Sequence, residues 1–265
     1  RLAPSSHGSL RLPQAEGVLG VTERLLDANR RAWEEKPSLR AVYRDLYRRI
    51  AAACADGPTL EIGGGTGNLK AYAPHVVATD IQTAPWLDAV CDAHALPFAD
   101  GAFVNVVLFD VLHHLARPAL FFAEAERVLR PGGRVVMVEP AITPMSWPFY
   151  HWLHPEPVRM GEDPLAPGGP PVDRDPYDAN QAFPSLLFGP SFMRHGSRFR
   201  AMFPRLAVRE VRPMSFFAYP MTGGFRPWSL IPEAAVAPVL AVERALAPLL
   251  GSVCAFRILV VLERH

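Results

Sequence analysis

The chain has 265 residues, of which 49% are hydrophobic and 20% are charged. This is the composition of a globular protein, and the length fits one large domain or one domain with a sizeable insertion. The 27 basic and 26 acidic side chains give a formal net charge of +1. This balance offers no electrostatic basis for binding nucleic acid or an anionic membrane surface, and we expect neither as a partner.

The cysteines and the apolar segments indicate the cellular compartment in which we expect the protein. Cys54, Cys91 and Cys254 lie far apart and form no CxxC pair, so we expect three free thiols in a reducing compartment. Charge, His or Pro interrupts every apolar stretch before the roughly 18 residues that a membrane span requires. The N-terminal residues "RLAPSSHGSL" lack the apolar core of a signal peptide. We therefore expect a cytoplasmic protein with no membrane span, and the oligomeric state stays open.

The first 140 residues change from a helical pattern to an alternating one. Residues 1–19 are polar and form an arm, and residues 20–55 carry apolar side chains at helical spacing, broken at Pro37, which predicts two helices. Strand and helix patterns then alternate, which indicates βαβ units and a parallel sheet with covered faces. The predicted elements are the strand "PTLEIG", the helix start "GNLKAYA", the strands "HVVATD" and "VNVVLFDV", the helix "RPALFFAEAERVLR" and the strand "GRVVMVEP".

After Pro140 the alternation stops. The stretch from Pro140 to Pro190 holds 12 of the 28 prolines, together with several aromatic residues. Long irregular insertions are usually functional lids or disordered segments, and the aromatic content argues against disorder. The strand "LAVREVRPMSFFAY", the helix "PEAAVAPVLAVERALAPLL" and the strand "SVCAFRILVVLER" follow, and the two strands can lie side by side, antiparallel. We divide the chain into an arm with helices (1–55), a core (56–140), a lid or acceptor-pocket insertion (141–200) and the end of the core sheet (201–265).

The segment "TLEIGGGTGNL" places glycines between a strand and a predicted helix, where α/β sheets bind nucleotide-like ligands. A phosphate-binding P-loop is excluded because Asn68, and no Lys-Ser/Thr pair, follows Gly67. The dinucleotide fingerprint GxGxxG is weakened, because Asn68 or Lys70 stands where its third glycine belongs. A nicotinamide-dependent dehydrogenase is thus a distant alternative.

Three acidic residues accompany these glycines. Glu61 begins the pattern Glu-x-Gly-x-Gly-x-Gly, and Asp80 ends "VVATD" 19 residues later. A carboxylate at Asp80 can accept both hydroxyls of an unphosphorylated ribose. Asp92, in "VCDAHALPF", lies where a loop after the third strand would meet an adenine edge.

With these motifs the sequence resembles the class I S-adenosylmethionine-dependent methyltransferases, of the small-molecule, methyltransferase-11 or quinone-biosynthesis-like type. The resemblance covers about Leu60 to Pro140. It implies a doubly wound, Rossmann-like, seven-stranded and mostly parallel sheet with an antiparallel last strand, whose carboxyl edge is covered by the N-terminal helices and the insertion. Four stretches in the same order carry it: "LEIGGGTGNL", "VVATDI", "CDAHALPFADGAF" and "VLFDVLHHLARPALFFAEAERVLRPGGRVVMVEP".

The resemblance also implies the cofactor, S-adenosyl-L-methionine, with S-adenosyl-L-homocysteine as product, and a set of cofactor-binding residues. Glu61 would organise the loop and meet the ammonium group, and Asp80 would hold the ribose. The remaining positions would contact the methionine, ribose and adenine parts. They are Gly63, Gly64, Gly65 and Gly67 in the loop, Ile81, Asp92 and Ala93 around the adenine, and Phe109 and Asp110 beside the methyl group.

One core position departs from the family pattern. Val104 stands where the family generally has Asp, with Asn105 next to it. That Asp is commonly structural, so the departure concerns local loop geometry more than cofactor binding.

Methyl transfer needs position, an in-line path and a way to lose the acceptor's proton. His113 and His114 in "DVLHHLARP" are the candidate general bases, with packing at a helix start as the alternative reading. The candidate acceptor residues follow the fifth strand. They are Tyr150, His151, Trp152, His154 and Glu156.

No metal is predicted, because the spacing of His151, His154 and Glu156 matches no closed ligand set. The loop "AYPMTGGFRPW" is a candidate second wall of the acceptor pocket.

We therefore hypothesise methyl transfer from S-adenosylmethionine to a small, partly apolar or aromatic acceptor, in a biosynthetic pathway and with oxygen as the favoured atom. The alternative is a catalytically silent S-adenosylmethionine-binding regulatory or scaffold protein, or an enzyme that uses the fold for a different reaction.

Overall fold

The structure is a computed structural model that describes residues 28–73, 75–167 and 179–265. The predicted arm, residues 1–19, and the start of the first predicted helix lie outside the described residues. Residues 28–35 are helical and helix α1 spans Pro37–Ala53. The break at Pro37 is confirmed, and proline at a helix start leaves no intrahelical hydrogen bond unmade.

Seven strands form one sheet in the order β3-β2-β1-β4-β5-β7-β6. Strands β1 to β5 pair in parallel, whereas β7 runs antiparallel to both β5 and β6. This confirms the predicted Rossmann-like sheet with its antiparallel last strand. The strands are β1 (Thr59–Ile62), β2 (Val76–Asp80), β3 (Ala89–Val90), β4 (Phe103–Phe109), β5 (Leu129–Pro140), β6 (Leu206–Met214) and β7 (Arg257–Arg264).

The strand order reverses between β1 and β4, because the chain moves outward from β1 to β3 and then returns to the other side of β1. Ligands of open α/β sheets bind at such a reversal, beyond the carboxyl ends of the strands. The topology therefore places the glycine-rich loop after β1 and the residues that follow β4 at one cleft.

Helices cover both faces of the sheet. On one face Phe121 and Phe122 of α2 and Phe199 of α5 are fully buried, and on the other Leu39 and Ile50 of α1 are fully buried. Burying side chains of this size stabilises the fold by roughly 1.5–3 kcal/mol each. The helices after α1 are α2 (Pro118–Val128), α3 (Ser146–Trp152), α4 (Phe183–Phe188), α5 (Gly196–Met202), α6 (Ala218–Thr222) and α7 (Glu233–Cys254).

Three predicted boundaries were wrong. The helix expected at "GNLKAYA" is a single 3₁₀ turn, Asn68–Ala71, which follows Gly67 in the left-handed conformation (φ 73°) and buries one residue, Leu69. Strand β6 ends at Met214 rather than running on to Tyr219, because Ala218 begins α6. The last strand begins at Arg257, since the residues before Ala255 end α7.

Helix α7 bears on the expectation that no stretch of the chain could span a membrane. It is long and apolar enough, by length and composition alone, to cross a bilayer, although no stretch was expected to qualify. Glu243, Pro238 and Pro248 lie within it, and its Val236 and Leu240 pack into the core beside α1. A helix that packs on a sheet passes the same test, so this is weak evidence for a span.

Asn105 secures the region around Val104. Its buried amide donates to the Ala55 carbonyl (2.8 Å) and to Thr59 Oγ1 (2.9 Å) and accepts from the Ala55 N–H (2.9 Å). These bonds join the segment after α1 to the start of β1. Asn105 thus supplies local polar contacts next to the position where the family's Asp is replaced.

Asn105→Ala should lower the free energy of unfolding by about 2–4 kcal/mol, because it leaves the partners of one buried and two part-buried hydrogen bonds unsatisfied. Urea denaturation followed by circular dichroism measures the change. Asn68→Ala serves as the control: Asn68 is partly exposed and bonds to Thr66 Oγ1 (2.7 Å), and we expect a loss below about 1 kcal/mol. Equal losses in the two variants would contradict this role for Asn105.

Candidate functional site

The loop after β1 has a backbone that requires glycine. Gly63, Gly65 and Gly67 have φ angles of 68°, 45° and 73°, a region that side chains disfavour. A Cβ at Gly63 would lie 2.3 Å from Val111 Cγ2, and one at Gly67 would lie 2.6 Å from Trp86 Cδ1. The loop is thus shaped to pass close to other groups without side chains of its own.

Glu61 faces this loop from the end of β1. Its side chain is buried, and its Oε2 atom has no hydrogen-bond partner among the described residues. A Cβ built on Gly64 would be 3.2 Å from this oxygen, which shows that the carboxyl group points at the loop. Burial, and next the charge of Asp80, raise the pKa of Glu61 to about 8. A buried acid with an unused acceptor fits the ammonium group of the predicted cofactor.

Asp80 ends β2 and holds the loop in place. Its Oδ2 accepts from the Gly65 N–H (3.0 Å) and its Oδ1 accepts from the Gln82 N–H (3.0 Å). Each carboxylate oxygen can accept more than one hydrogen bond, so ribose hydroxyls can bind without breaking these contacts. The neighbouring Ile81 is 49% exposed, as an apolar platform for adenine would be before the ligand binds.

Asp92 and Ala93 follow β3 at the same edge of the sheet. Asp92 Oδ1 accepts from the His94 N–H (2.8 Å) and lies 2.6 Å from His94 Nδ1. The bond to His94 lowers the pKa of Asp92. Ala93 is buried and Asp92 is exposed, so the carboxylate is accessible to a ligand at this edge.

Phe109 and Asp110 end and follow β4, beside the first residue of β7. Asp110 has a φ angle of 57° and pairs with the buried Arg257. The Arg257 guanidinium carbon lies 5.4 Å from the centroid of the Phe109 ring and 4.5 Å from that of Tyr219. The Phe109 ring stacks on Tyr43 of α1, with centroids 5.2 Å apart. A buried cation is therefore set among aromatic rings next to the predicted methyl position.

His113 is held by a second buried carboxylate. Its Nδ1 lies 2.7 Å from Glu139 Oε2, and Glu139 Oε1 accepts from the Val111 (2.9 Å) and Leu112 (2.7 Å) N–H groups. Although burial alone would lower it, the hydrogen bond to Glu139 and the nearby Glu156 carboxylate raise the pKa of His113 to about 10. An imidazole that keeps its proton at neutral pH is a poor general base, which weakens that part of the sequence-based hypothesis.

The insertion contributes Glu156 to this cluster. Its carboxylate lies 3.5 Å from His113 Nε2 and 3.7 Å from His114 Nε2, and it accepts from the Gln181 amide. Despite burial, the nearby His113 and then the charges of the other two histidines lower the pKa of Glu156 to about 2. His154 Nδ1 is 3.9 Å from the same carboxylate.

The other three predicted acceptor residues have different surroundings. Tyr150 is buried and its hydroxyl donates to the Phe256 carbonyl (2.7 Å). The exposed His151 ring stacks on Trp147, with centroids 4.7 Å apart, and Trp152 is 70% exposed. The structure thus brings Glu156 and His154 to the histidines after β4, and keeps His151 and Trp152 at the surface.

The loop after α6 is attached to the N-terminal helical region. Lys36 Nζ donates to the carbonyls of Gly224 (2.6 Å) and Arg226 (2.7 Å). Burial lowers the pKa of Lys36. This contact places the loop "AYPMTGGFRPW" next to α1 and its aromatic side chains. The sequence suggested this loop as a candidate second wall of the acceptor pocket.

Sequence reasoning missed Trp86, Glu139 and Arg257. Trp86 donates to the Gly65 carbonyl (2.7 Å), and nothing in its own segment pointed to the loop. Glu139 and Arg257 were detectable from position alone. Glu139 is at the carboxyl end of a parallel strand, and Arg257 begins an antiparallel one, so both lie at the carboxyl edge.

Comparison with known proteins gives an independent result for the core. Residues 60–137 match the family model of a methyltransferase domain. The chain is 41% identical over 63 residues to the ubiquinone/menaquinone biosynthesis C-methyltransferase UbiE of Paracoccus denitrificans, covering 24% of each chain. It is 30% identical over 148 residues to the demethylmenaquinone methyltransferase of Clavibacter sepedonicus, covering 48% of this chain and 60% of that protein.

A structural relative supports the fold over a longer range. A chain from the complex between the Haloferax volcanii Trm112 methyltransferase activator and a methyltransferase superposes with a TM-score of 0.51 at 12% identity, covering 95% of this chain and 99% of that one. At this identity the likeness concerns the fold alone.

The family model matches the part of the chain that builds the candidate cofactor site. The chain spans at most about three fifths of the length of these curated relatives, so their activities do not transfer with the match. The core itself carries the family's loop, the buried Glu61, Asp80 after β2 and the strand order of the fold. Residues 60–137 thus match a methyltransferase domain, and the sheet around them has the fold of the class I S-adenosylmethionine-dependent methyltransferases.

Proposed function

We propose that the protein transfers the methyl group of S-adenosylmethionine to a small acceptor that carries an acidic oxygen on an aromatic or enolic framework. The observation that carries the cofactor assignment is the buried Glu61, whose Oε2 has no partner among the described residues and faces a glycine loop. An isolated buried carboxyl group is costly unless a ligand pairs with it. The cofactor's ammonium group supplies that partner.

Different residues of the cleft would bind different parts of the cofactor. Glu61 would hold the ammonium group, Asp80 the ribose and the loop backbone the methionine chain. The bound cofactor supplies the electrophile, a methyl group on a cationic sulfur, so the protein needs mainly to orient the acceptor and exclude water.

The acceptor would lie against Arg257 and its aromatic neighbours. Arg257 is buried, and its Nε has no hydrogen-bond partner among the described residues. A guanidinium beside Tyr219 and Phe109 suits a flat acceptor whose oxygen bears negative charge. Asp110 keeps Arg257 in place and balances its charge in the absence of ligand.

We infer carbon as the methylated atom rather than the oxygen expected from the sequence. The support is the name of the UbiE relative, a C-methyltransferase, together with this buried cation. A phenolate or enolate held by Arg257 has a nucleophilic adjacent carbon. That carbon would take the methyl group that the bound cofactor supplies, S-adenosylhomocysteine would leave with the electrons of the broken carbon–sulfur bond, and the proton of the methylated carbon would pass to solvent.

The raised pKa of Glu61 makes cofactor binding depend on pH. In the free protein Glu61 is mostly protonated below its pKa of about 8, whereas the ammonium group favours the carboxylate. Binding therefore releases a proton, and affinity should rise about 30-fold from pH 5.5 to 7, where the α-ammonium group stays protonated. Calorimetry in buffers of different ionisation enthalpy measures both the affinity and the proton release.

Glu61→Gln is the matched control for this pH dependence, since it keeps the size and the acceptor oxygen of the side chain. The variant should bind more weakly and lose the pH slope. The same linkage predicts that the ligand-free wild type loses stability as the pH rises from about 4.5, the ordinary value for glutamate, to about 8. An unchanged slope in the variant would assign the effect to another group.

Arg257→Met tests the acceptor wall. It should lower kcat/KM by about 100-fold, because a buried charge-assisted contact contributes roughly 1.5–3 kcal/mol, with little change in S-adenosylmethionine affinity. The assay is S-adenosylhomocysteine formation, by mass spectrometry, with dihydroxynaphthalene and substituted phenols as acceptors. Removing Arg257 alone leaves Asp110 unpaired, so the double variant Arg257→Met/Asp110→Asn, which restores neutrality, separates lost recognition from lost stability.

The alternative of a silent binding protein makes the opposite prediction in the same assay. It would bind S-adenosylmethionine but form no S-adenosylhomocysteine with any acceptor in the panel. Release of S-adenosylhomocysteine that depends on the acceptor and on Arg257 favours the enzyme.

A further inference from the structure

We propose that His113, His114 and Glu156 form a binding site for a divalent transition-metal ion at the carboxyl edge of the sheet. The two histidines end the turn after β4, and Glu156 comes from the insertion after β5. The side chains converge although the sequence separates them by about forty positions. This grouping differs from the one considered in the sequence, His151, His154 and Glu156.

The separations of the donor atoms suit a shared ion better than hydrogen bonds. His113 Nε2 is 3.5 Å and His114 Nε2 is 3.7 Å from the Glu156 carboxylate, and one donor atom from each of the three residues lies within 4.8 Å of the others. An N–H···O hydrogen bond is about 2.7–3.2 Å long. Donors about 2.0–2.2 Å from a tetrahedral zinc ion are about 3.3–3.6 Å from each other. Donors that are farther apart than this, up to 4.8 Å, would have to move closer when an ion binds.

Neighbouring groups already support the ligands. Glu139 accepts at His113 Nδ1 (2.7 Å), so an incoming ion would displace the proton on Nε2, the nitrogen that faces Glu156. The Gln181 amide donates to the Glu156 carboxylate. Metal-bound histidines usually donate their second ring nitrogen to a carboxylate in this way, and such partners fix the tautomer.

The donor set and the exposure indicate the class of ion. Two imidazole nitrogens and one carboxylate favour zinc, iron(II) or manganese(II) over calcium or magnesium. The His113 side chain is nearly buried, but His114 and Glu156 are 28% and 29% exposed, which gives an ion a path from solvent. Two nearby carboxylates, Glu139 and Glu156, supply charge to balance a dication.

Three protein ligands leave a coordination position open, as in catalytic rather than structural zinc sites. An acceptor oxygen could occupy it, so that the ion and Arg257 would together favour the deprotonated acceptor. This consequence rests on the proposed methyl transfer, whereas ion binding itself does not.

The test is calorimetric titration of the untagged, chelator-treated protein with zinc chloride, without cofactor or acceptor. We expect one zinc per chain in the wild type and at least tenfold weaker binding in both His113→Ala and Glu156→Ala. His195→Ala is the matched control, because the His195 side chain pairs with Asp163 (3.5 Å) and is not one of the three proposed ligands. It should bind zinc as the wild type does.

Glu139→Gln tests the site without removing any of the three ligand side chains, because it changes only the partner of His113 Nδ1. The amide can keep an oxygen toward the Val111 and Leu112 N–H groups and present its NH₂ to His113, which favours the tautomer that cannot bind metal through Nε2. We expect about 10–100-fold weaker zinc binding with unchanged S-adenosylhomocysteine binding, which reports that the fold is intact.

Absence of zinc binding in the wild type, or binding that is equal in the wild type and the His113 and Glu156 variants, would show that the cluster is an ion-pair network only. Because this titration uses neither cofactor nor acceptor, its failure would leave the proposed methyl transfer untouched.

Discussion

The site depends on one buried carboxyl group, that of Glu61, whose Oε2 atom has no hydrogen-bond partner among the described residues. Glu61 lies in β1, between β2 and β4, where the strand order of the sheet reverses. The parallel strands that hold it are apolar and closely packed, so the group cannot turn to water. A cation that enters along the glycine loop would therefore stabilise the charged form of this group, and the left-handed backbone of that loop leaves the space for one. The cofactor's ammonium group would supply the interaction that the buried carboxyl group lacks, and this would contribute to the binding energy.

The antiparallel last strand extends this site toward the acceptor. Because β7 reverses direction, its first residue lies at the same edge as the ends of β4 and β5, which places Arg257 next to Asp110. The left-handed backbone at Asp110 costs of order 1–3 kcal/mol, and the pair with Arg257 holds it there. A parallel last strand would have put this arginine at the opposite edge.

Much of the fold and of the cofactor site could be predicted from the sequence, because both depend on local signals. The apolar strands, the glycine loop and the acidic residue that ends β2 can each be identified within one short segment of the sequence. The acceptor side could not be predicted in the same way. The contacts of His113 with Glu139 and Glu156, and of Arg257 with Asp110, join segments far apart in the chain. His151 and Trp152 looked as suitable as Glu156, and only the path of the insertion decides which of them turns inward.

The most direct test of this account is calorimetric binding of S-adenosylhomocysteine to the wild type, to Asp80→Ala and to Asp100→Ala. Asp100 is an exposed aspartate paired with Arg127, remote from the loop. We predict micromolar-range binding to the wild type and to Asp100→Ala, and at least about tenfold weaker binding to Asp80→Ala, the loss expected for a charge-assisted contact. No detectable binding to the wild type, or equal binding to all three proteins, would contradict the assignment of this cleft to S-adenosylmethionine.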